Sequence, residues 1–198
     1  MIGVVDYGLG NLFSLENALR FLGGDFRRVS RPEDLSCFDK LILPGVGAFP
    51  RAVAALRETG MFEALKRAEQ PLFGICLGFQ LLFTSGEEFS LTEGLDLIPG
   101  RVVRLEGPVK IPHIGWNSLH LCRPEHPLLE GVREGDFVYY VHSYRAVTAP
   151  EFELAVSDYG QTVCGLAGKG RVSGSQFHPE KSGDVGLTLL KNFLEKRF

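Results

Sequence analysis

Cys76 sits between glycines in Gly74-Ile75-Cys76-Leu77-Gly78, where the apolar run Leu72 to Ile75 meets a segment carrying Leu77, Leu81 and Leu82 at helical spacing. A nucleophile between a strand and a helix, on a turn tightened by small residues, is the arrangement that lifts a side chain above an α/β sheet. The free amides and dipole at the start of the helix favour a thiolate there. A thiolate that transfers acyl groups also needs a base and a group to orient it. Gln176-Phe177-His178-Pro179-Glu180 supplies both at the end of a late extended run. Residues two apart in extended chain share a face, and Pro179 fixes its own φ while biasing His178 toward extended geometry. Pro44-Gly45-Val46-Gly47 follows another strand and would lie at the same sheet edge, where backbone amides could hold a developing oxyanion. Taken singly, each has an ordinary reading: a small core thiol, a hydrogen-bonded histidine, a strand-to-helix turn.

The elements that must position these groups alternate. Ile2 to Val5 reads as a strand, followed by Leu12, Leu15, Leu19 and Leu22 at helical spacing. Phe26 to Val29 and Leu41 to Leu43 read as further strands, and a helix begins near Pro50 and ends near Gly60. Such alternation predicts a parallel sheet with helices on both faces. After about Thr92 the texture changes to short extended runs: Val102 to Leu105, Ser118 to Cys122, Phe137 to Tyr144, Phe152 to Val156 and Val163 to Ala167. Arg171 to Phe177 is a late strand, and Leu187, Leu190 and Leu194 mark a terminal helix. The fold class expected is α/β, a three-layer, mostly parallel sheet flanked by helices with added antiparallel strands, in a single domain over residues 1–198.

Composition excludes several functions. The 198 residues are 44% hydrophobic and 23% charged, enough for a sizeable core without disulfides or metals. With 21 basic and 24 acidic residues the net charge is −3, so no nucleic-acid partner is expected. Met1 to Asp6 has no basic leader region, and the apolar stretch Phe73 to Phe83 is broken by Gly74, Gly78 and Gln80, so a soluble cytoplasmic protein with no membrane association is expected. Cys37, Cys76, Cys122 and Cys164 are widely spaced, and His113, His120, His126 and His142 lack ligand spacing, so no metal is expected. Gly8-Leu9-Gly10 invites a dinucleotide reading, but Phe13 occupies the third glycine position; no cofactor is expected.

Together, the turn Pro44 to Gly47, the elbow Gly74-Ile75-Cys76-Leu77-Gly78-Phe79-Gln80 and the run Phe177-His178-Pro179-Glu180 resemble class I glutamine amidotransferases. Within that family the chain is similar to the glutaminase subunits of imidazole glycerol phosphate synthases. That likeness is carried by Asp6-Tyr7-Gly8-Leu9-Gly10-Asn11, Pro112-His113-Ile114-Gly115-Trp116-Asn117, Tyr139-Tyr140-Val141-His142-Ser143-Tyr144 and His178-Pro179-Glu180-Lys181-Ser182. Anthranilate and guanylate synthase amidotransferases share the elbow and the His-Pro-Glu, but the Gly-Trp-Asn and Lys-Ser segments fit the histidine-pathway branch better.

The resemblance implies that Cys76 attacks the side-chain amide of glutamine, His178 carries a proton to the departing ammonia and Glu180 orients His178. It further implies that the Leu77 amide and the turn at Val46 and Gly47 hold the oxyanion. Gln80, Glu88 and Ser143 would surround the amino-acid end of glutamine, with Glu88 suited to the α-ammonium. The partner implied is a (β/α)8 cyclase, forming a heterodimer that uses the ammonia in histidine biosynthesis; Asn11, Trp116, Asn117, Tyr139 and Lys181 are the interface candidates. A stand-alone cysteine hydrolase of γ-glutamyl substrates, or the amidotransferase subunit of another pathway, would keep the same triad. A noncatalytic binding module would have lost one of its members.

Overall fold

The computed structural model describes residues 1–196; Arg197 and Phe198, the end of the expected domain, lie outside the described residues. The elements run in the order β1 (Ile2–Val5), α1 (Leu12–Phe21), β2 (Phe26–Val29), β3 (Lys40–Leu43), α2 (Phe49–Glu58), α3 (Met61–Arg67), β4 (Leu72–Ile75), α4 (Leu77–Leu81) and β5 (Phe83–Gly86). They continue with β6 (Thr92–Glu93), β7 (Ile98–Arg104), β8 (His113–Ser118), β9 (His120–Leu121), β10 (Phe137–His142) and β11 (Tyr144–Val147). β12 (Glu153–Asp158), β13 (Thr162–Lys169), β14 (Val172–Ser175) and α5 (Gly183–Glu195) complete the chain.

An eight-stranded sheet has the order β2-β1-β3-β4-β14-β13-β12-β9. Its first five strands are parallel, and β13, β12 and β9 extend it antiparallel. This is the expected α/β class, with antiparallel strands added at one edge. The central strands β1 and β4, and β3 after Lys40, are apolar along their length because both faces are covered. Ile2, Val4, Ile42, Phe73 and Ile75 pack with Leu15 and Leu19 of α1 and with Leu189, Leu190 and Phe193 of α5. Val5, Leu41, Leu43 and Leu72 pack on the other face with Ala52, Val53 and Leu56 of α2 and with Met61, Phe62 and Leu65 of α3. Each such large side chain taken wholly out of water contributes about 2 kcal/mol, so the two covered faces fix which strand ends come together.

Two smaller sheets complete the layer beside the site. β8 and β10 form an antiparallel ribbon, and β11, β7, β5 and β6 form a second sheet. The expected single strand Phe137 to Tyr144 is therefore two, broken at Ser143. Its first part pairs with β8 and its second with β7. The expected run Ser118 to Cys122 is divided as well, between the end of β8 and β9.

Candidate active site

The elbow is built by the absence of side chains. A Cβ on Gly78 would lie 1.8 Å from the Leu43 carbonyl oxygen, and one on Gly74 would lie 2.6 Å from the Gly78 carbonyl. Only glycine at both positions lets α4 close onto β3 and β4. Cys76, between them, has φ 54° and ψ −107°, a conformation costing a non-glycine residue on the order of 1–3 kcal/mol. Its amide donates to the Ser175 carbonyl (2.8 Å) and its carbonyl accepts from Gln80 N–H (3.0 Å), so β14 and α4 hold the strained residue from both sides.

His178 and Glu180 arrive from the end of β14. His178 Nδ1 lies 2.9 Å from Glu180 Oε1, and both side chains are buried. Burial alone would press the imidazole toward neutrality, but hydrogen bonds to the Cys76 sulfur and the Glu180 carboxylate outweigh it and push the His178 pKa up to about 10. A buried imidazolium held between a sulfur and a carboxylate is a proton donor of fixed orientation.

Cys76 and His178 face a pocket of about 260 Å³ whose wall includes Val46, Gly47, Leu77, Gln80, Glu88 and Ser143. The structure thus brings together, around one cleft, all the residues that the family resemblance implies for the nucleophile, the oxyanion turn and the amino-acid subsite, with Glu180 directly behind His178. Gly47 adopts φ +105°, which favours glycine. The turn that contains it is held by Tyr7, whose buried hydroxyl donates to the Pro44 carbonyl (3.0 Å). Burial, and secondarily the neighbouring Cys76, raise the Tyr7 phenol well above its usual range, so it remains a donor.

Gln80 is buried rather than on a helix surface. Its Nε2 donates to the Tyr144 carbonyl (3.0 Å) and to Gln176 Oε1 (3.0 Å), which leaves its carbonyl oxygen for the pocket. Gln176 in turn points Nε2 at the Cys76 sulfur, 3.9 Å away. Sequence reasoning missed Gln176, Tyr7 and the buried pair His113–His142. Gln176 did carry a signal, since it lies two residues before His178 on an extended run. His142 lines the pocket, its Nε2 lies 3.0 Å from His113 Nδ1, and its Nδ1 lies 2.8 Å from the Tyr144 carbonyl. Burial lowers both histidines to about 4, so both are neutral at pH 7.

The interface candidates divide. Trp116 and Tyr139 are opposite one another in the β8–β10 ribbon, with ring centroids 5.9 Å apart, and Trp116 is 55% exposed. Ile114 and Phe137, also exposed, share their face. Lys181 is exposed on the turn after Glu180, and Asn11 caps α1 through Ser14. Asn117 faces the other way. It lies opposite buried Val138, on the other side of the ribbon from Trp116, and its Nδ2 is spent on the Asp158 carbonyl (2.8 Å). Alternation along β8 turns it to the face opposite Trp116.

The family model of the class I glutamine amidotransferases matches residues 4–197. The imidazole glycerol phosphate synthase subunit HisH of Bacillus thuringiensis (strain Al Hakam) is 48% identical over 196 residues, 98% of this chain and 93% of that protein. The corresponding subunit of Bacillus cereus (strain G9842) is 49% identical with the same coverage. Among solved structures, a glutamine amidotransferase superposes with a TM-score of 0.77 at 23% identity, covering 98% of this chain and 97% of that one. PurLQS from Thermotoga maritima superposes with 0.73 at 22% identity, covering 98% and 96%; both likenesses concern the fold. With a family match over almost its whole length and relatives near half identity, the chain belongs to the class I glutamine amidotransferases.

Proposed function

We propose that this chain hydrolyses glutamine to glutamate and ammonia and passes the ammonia to a (β/α)8 cyclase partner for imidazole glycerol phosphate synthesis in histidine biosynthesis. The observation that carries the chemistry is the relay from Cys76 and His178, in the wall of one pocket, to Glu180 behind His178. The Cys76 thiolate attacks the side-chain carbonyl carbon of glutamine. The tetrahedral oxyanion is held by the Leu77 amide, one of the helix-start donors without an intrahelical acceptor, and by an amide of the Val46–Gly47 turn. One such donor is worth roughly 10²- to 10³-fold in rate. As the C–N bond breaks, the His178 imidazolium gives its proton to the nitrogen, ammonia leaves, and a γ-glutamyl thioester remains. Water then attacks the thioester and yields its proton to His178, and the C–S bond breaks to release glutamate. Glu180 holds the imidazole and stabilises its charge throughout.

The pathway and partner rest on the near-half identity to HisH subunits along the whole chain. Ile114, Trp116, Phe137 and Tyr139 offer an exposed apolar face beside the triad on which such a partner can dock. Among the described residues no helix is long and apolar enough to cross a membrane, and a cytoplasmic location suits a biosynthetic subunit of this kind. The test is glutamate release by the purified chain, alone and with a cognate cyclase carrying its nucleotide ligand, with Cys76→Ala as control. Release that rises in the complex and vanishes in Cys76→Ala is the expected result. High activity alone, unchanged by cyclase, would point instead to an independent hydrolase.

A further inference from the structure

Helix α2 begins two residues after Gly47, and its own sequence gives its first turn no cap. Ala48, at the N-cap, has no side-chain oxygen and makes no capping bond. The missing acceptor comes from a distant segment, because Glu88 Oε2 accepts from Phe49 N–H at 2.7 Å. A carboxylate placed there meets both an otherwise unpaired amide and the positive end of the helix.

The same segment grips Phe49 a second time. Phe49 is fully buried, and a Cβ on Gly86 would lie 2.8 Å from its ring, so glycine is required for β5 to close onto it. The segment that carries Glu88 is itself fixed. Glu87 N–H donates to the Val102 carbonyl (2.9 Å), Ser90 N–H to the Glu88 carbonyl (2.7 Å), and Phe89 between them takes a left-handed φ of 60°. Ring and amide of Phe49 are therefore both held by the chain between Gly86 and Glu88, and Glu88 lines the pocket beside Val46 and Gly47.

We propose that Glu88 is a positioning residue for the oxyanion turn: its carboxylate anchors the start of α2 and so holds the Val46–Gly47 peptide that α2 follows. The inference rests on the glutaminase reading of the pocket. It goes beyond a role for Glu88 in attracting the α-ammonium of glutamine, since one carboxylate then serves the substrate subsite and the turn together. Occupation of the pocket and order in the turn are coupled through it, because an ammonium group drawn to Glu88 neutralises and fixes the group that caps α2.

The two roles separate with glutaramate, which is glutamine without its α-amino group and has nothing for Glu88 to attract. Glu88→Gln keeps an oxygen that accepts from Phe49 N–H, whereas Glu88→Ala keeps none. In the complex with cyclase, kcat on glutaramate is expected to be about tenfold lower in Glu88→Ala than in Glu88→Gln, a fraction of the 10²- to 10³-fold worth of a whole oxyanion donor. Both variants should raise KM for glutamine. Independently of turnover, amide hydrogen exchange over residues 46–50 of the whole chain is expected to accelerate about tenfold or more in Glu88→Ala and much less in Glu88→Gln. Equal kcat of the two variants on glutaramate, or exchange in Glu88→Ala as slow as in the unaltered chain, would overturn the proposal. If the unaltered chain hydrolyses neither compound, the glutaminase reading falls, and exchange alone decides whether Glu88 anchors the turn.

Discussion

Acidification should loosen this fold through two buried histidines, His142 in the pocket wall and His113 hydrogen-bonded to it. The Tyr144 carbonyl can only accept, so His142 Nδ1 carries the proton in their 2.8 Å contact and Nε2 is an acceptor. His113 Nδ1, 3.0 Å from that Nε2, must then be the donor. Protonating His142 would set two donors against each other in a buried space shared with the rings of Tyr140 and Tyr159. Burial, aided at His142 by the neighbouring His113 and His178, holds both histidines near 4 against an ordinary 6.5. The unfolded chain takes up their protons as pH falls through 6.5 while the folded chain does not, so the stability they contribute is present above pH 6.5 and is lost progressively down to about pH 4. Between pH 7 and pH 5, linkage gives a loss of about 2 kcal/mol for one such histidine. Urea unfolding at pH 7, 6 and 5 measures this directly. His113→Asn keeps a donor toward His142 but removes one titrating group. Whatever the substitution costs at pH 7, its further loss on going to pH 5 should be smaller than that of the unaltered chain by about 2 kcal/mol. Carboxylates titrate equally in both proteins and cancel in the difference. An identical loss in the two would refute the assignment of neutral, proton-excluding histidines to this wall.

Glu180→Gln removes one of the two groups that raise the His178 pKa, so the alkaline limb of kcat/KM should move to lower pH, with a smaller loss of rate than Cys76→Ala; a pH–rate profile with an unmoved limb would contradict the relay. Gly78→Ala has no room beside the Leu43 carbonyl and should cost roughly 3 kcal/mol or more, read as a fall in Tm of about 6–12 °C. Trp116→Ala should weaken cyclase binding about tenfold or more in a titration while leaving the Tm of the isolated chain nearly unchanged, since its ring is largely in solvent.

The parallel half of the fold was legible because its strands are covered on both faces. Ile2–Val5, Leu41–Leu43 and Leu72–Ile75 are continuous apolar runs, and each is followed by helical spacing or a glycine turn. Legibility failed where local signal and tertiary pairing part company. The helix read from near Pro50 to near Gly60 is α2, whereas α3, only seven residues long, was not anticipated because so short a segment shows little period. The helical segment read from Leu77, Leu81 and Leu82 is α4, which ends at Leu81 with Leu82 as its cap, and β5 begins at once with Phe83. The break at Ser143 had no local signal, since Phe137 to Tyr144 contains neither glycine nor proline. It arises where the chain leaves β8 for β7. The triad was readable because a strained elbow and a His-Pro-Glu announce themselves in a few adjacent residues. The groups that hold it, Tyr7 on Pro44, Gln176 on Gln80 and Glu88 on Phe49, are pairs distant in sequence and became visible only in three dimensions.

These supports share one geometry, in which a single residue's thickness of backbone separates the triad from the outer face. Tyr139 donates its amide to Ser182 Oγ (3.0 Å) and accepts from His178 N–H (3.0 Å), while its ring meets Trp116 on the exposed side of the ribbon. Two residues further along β10, the Val141 carbonyl lies 3.8 Å from the Cys76 sulfur. A partner pressing on Trp116 and Tyr139 therefore bears on the strand whose backbone bonds His178 and borders Cys76, without any long path through the core. The opposite wall is held by Glu88 and Tyr7 through α2 and Pro44, on elements that the ribbon does not include. Elbow and oxyanion turn pack on each other, since a Cβ on Gly45 would lie 2.9 Å from the Gly78 nitrogen, and the ribbon reaches this pair from the side that carries His178. Substitutions at Tyr139 should consequently alter the gain in glutaminase turnover on cyclase binding more than they alter turnover of the isolated chain, a comparison that the same glutamate-release assay provides.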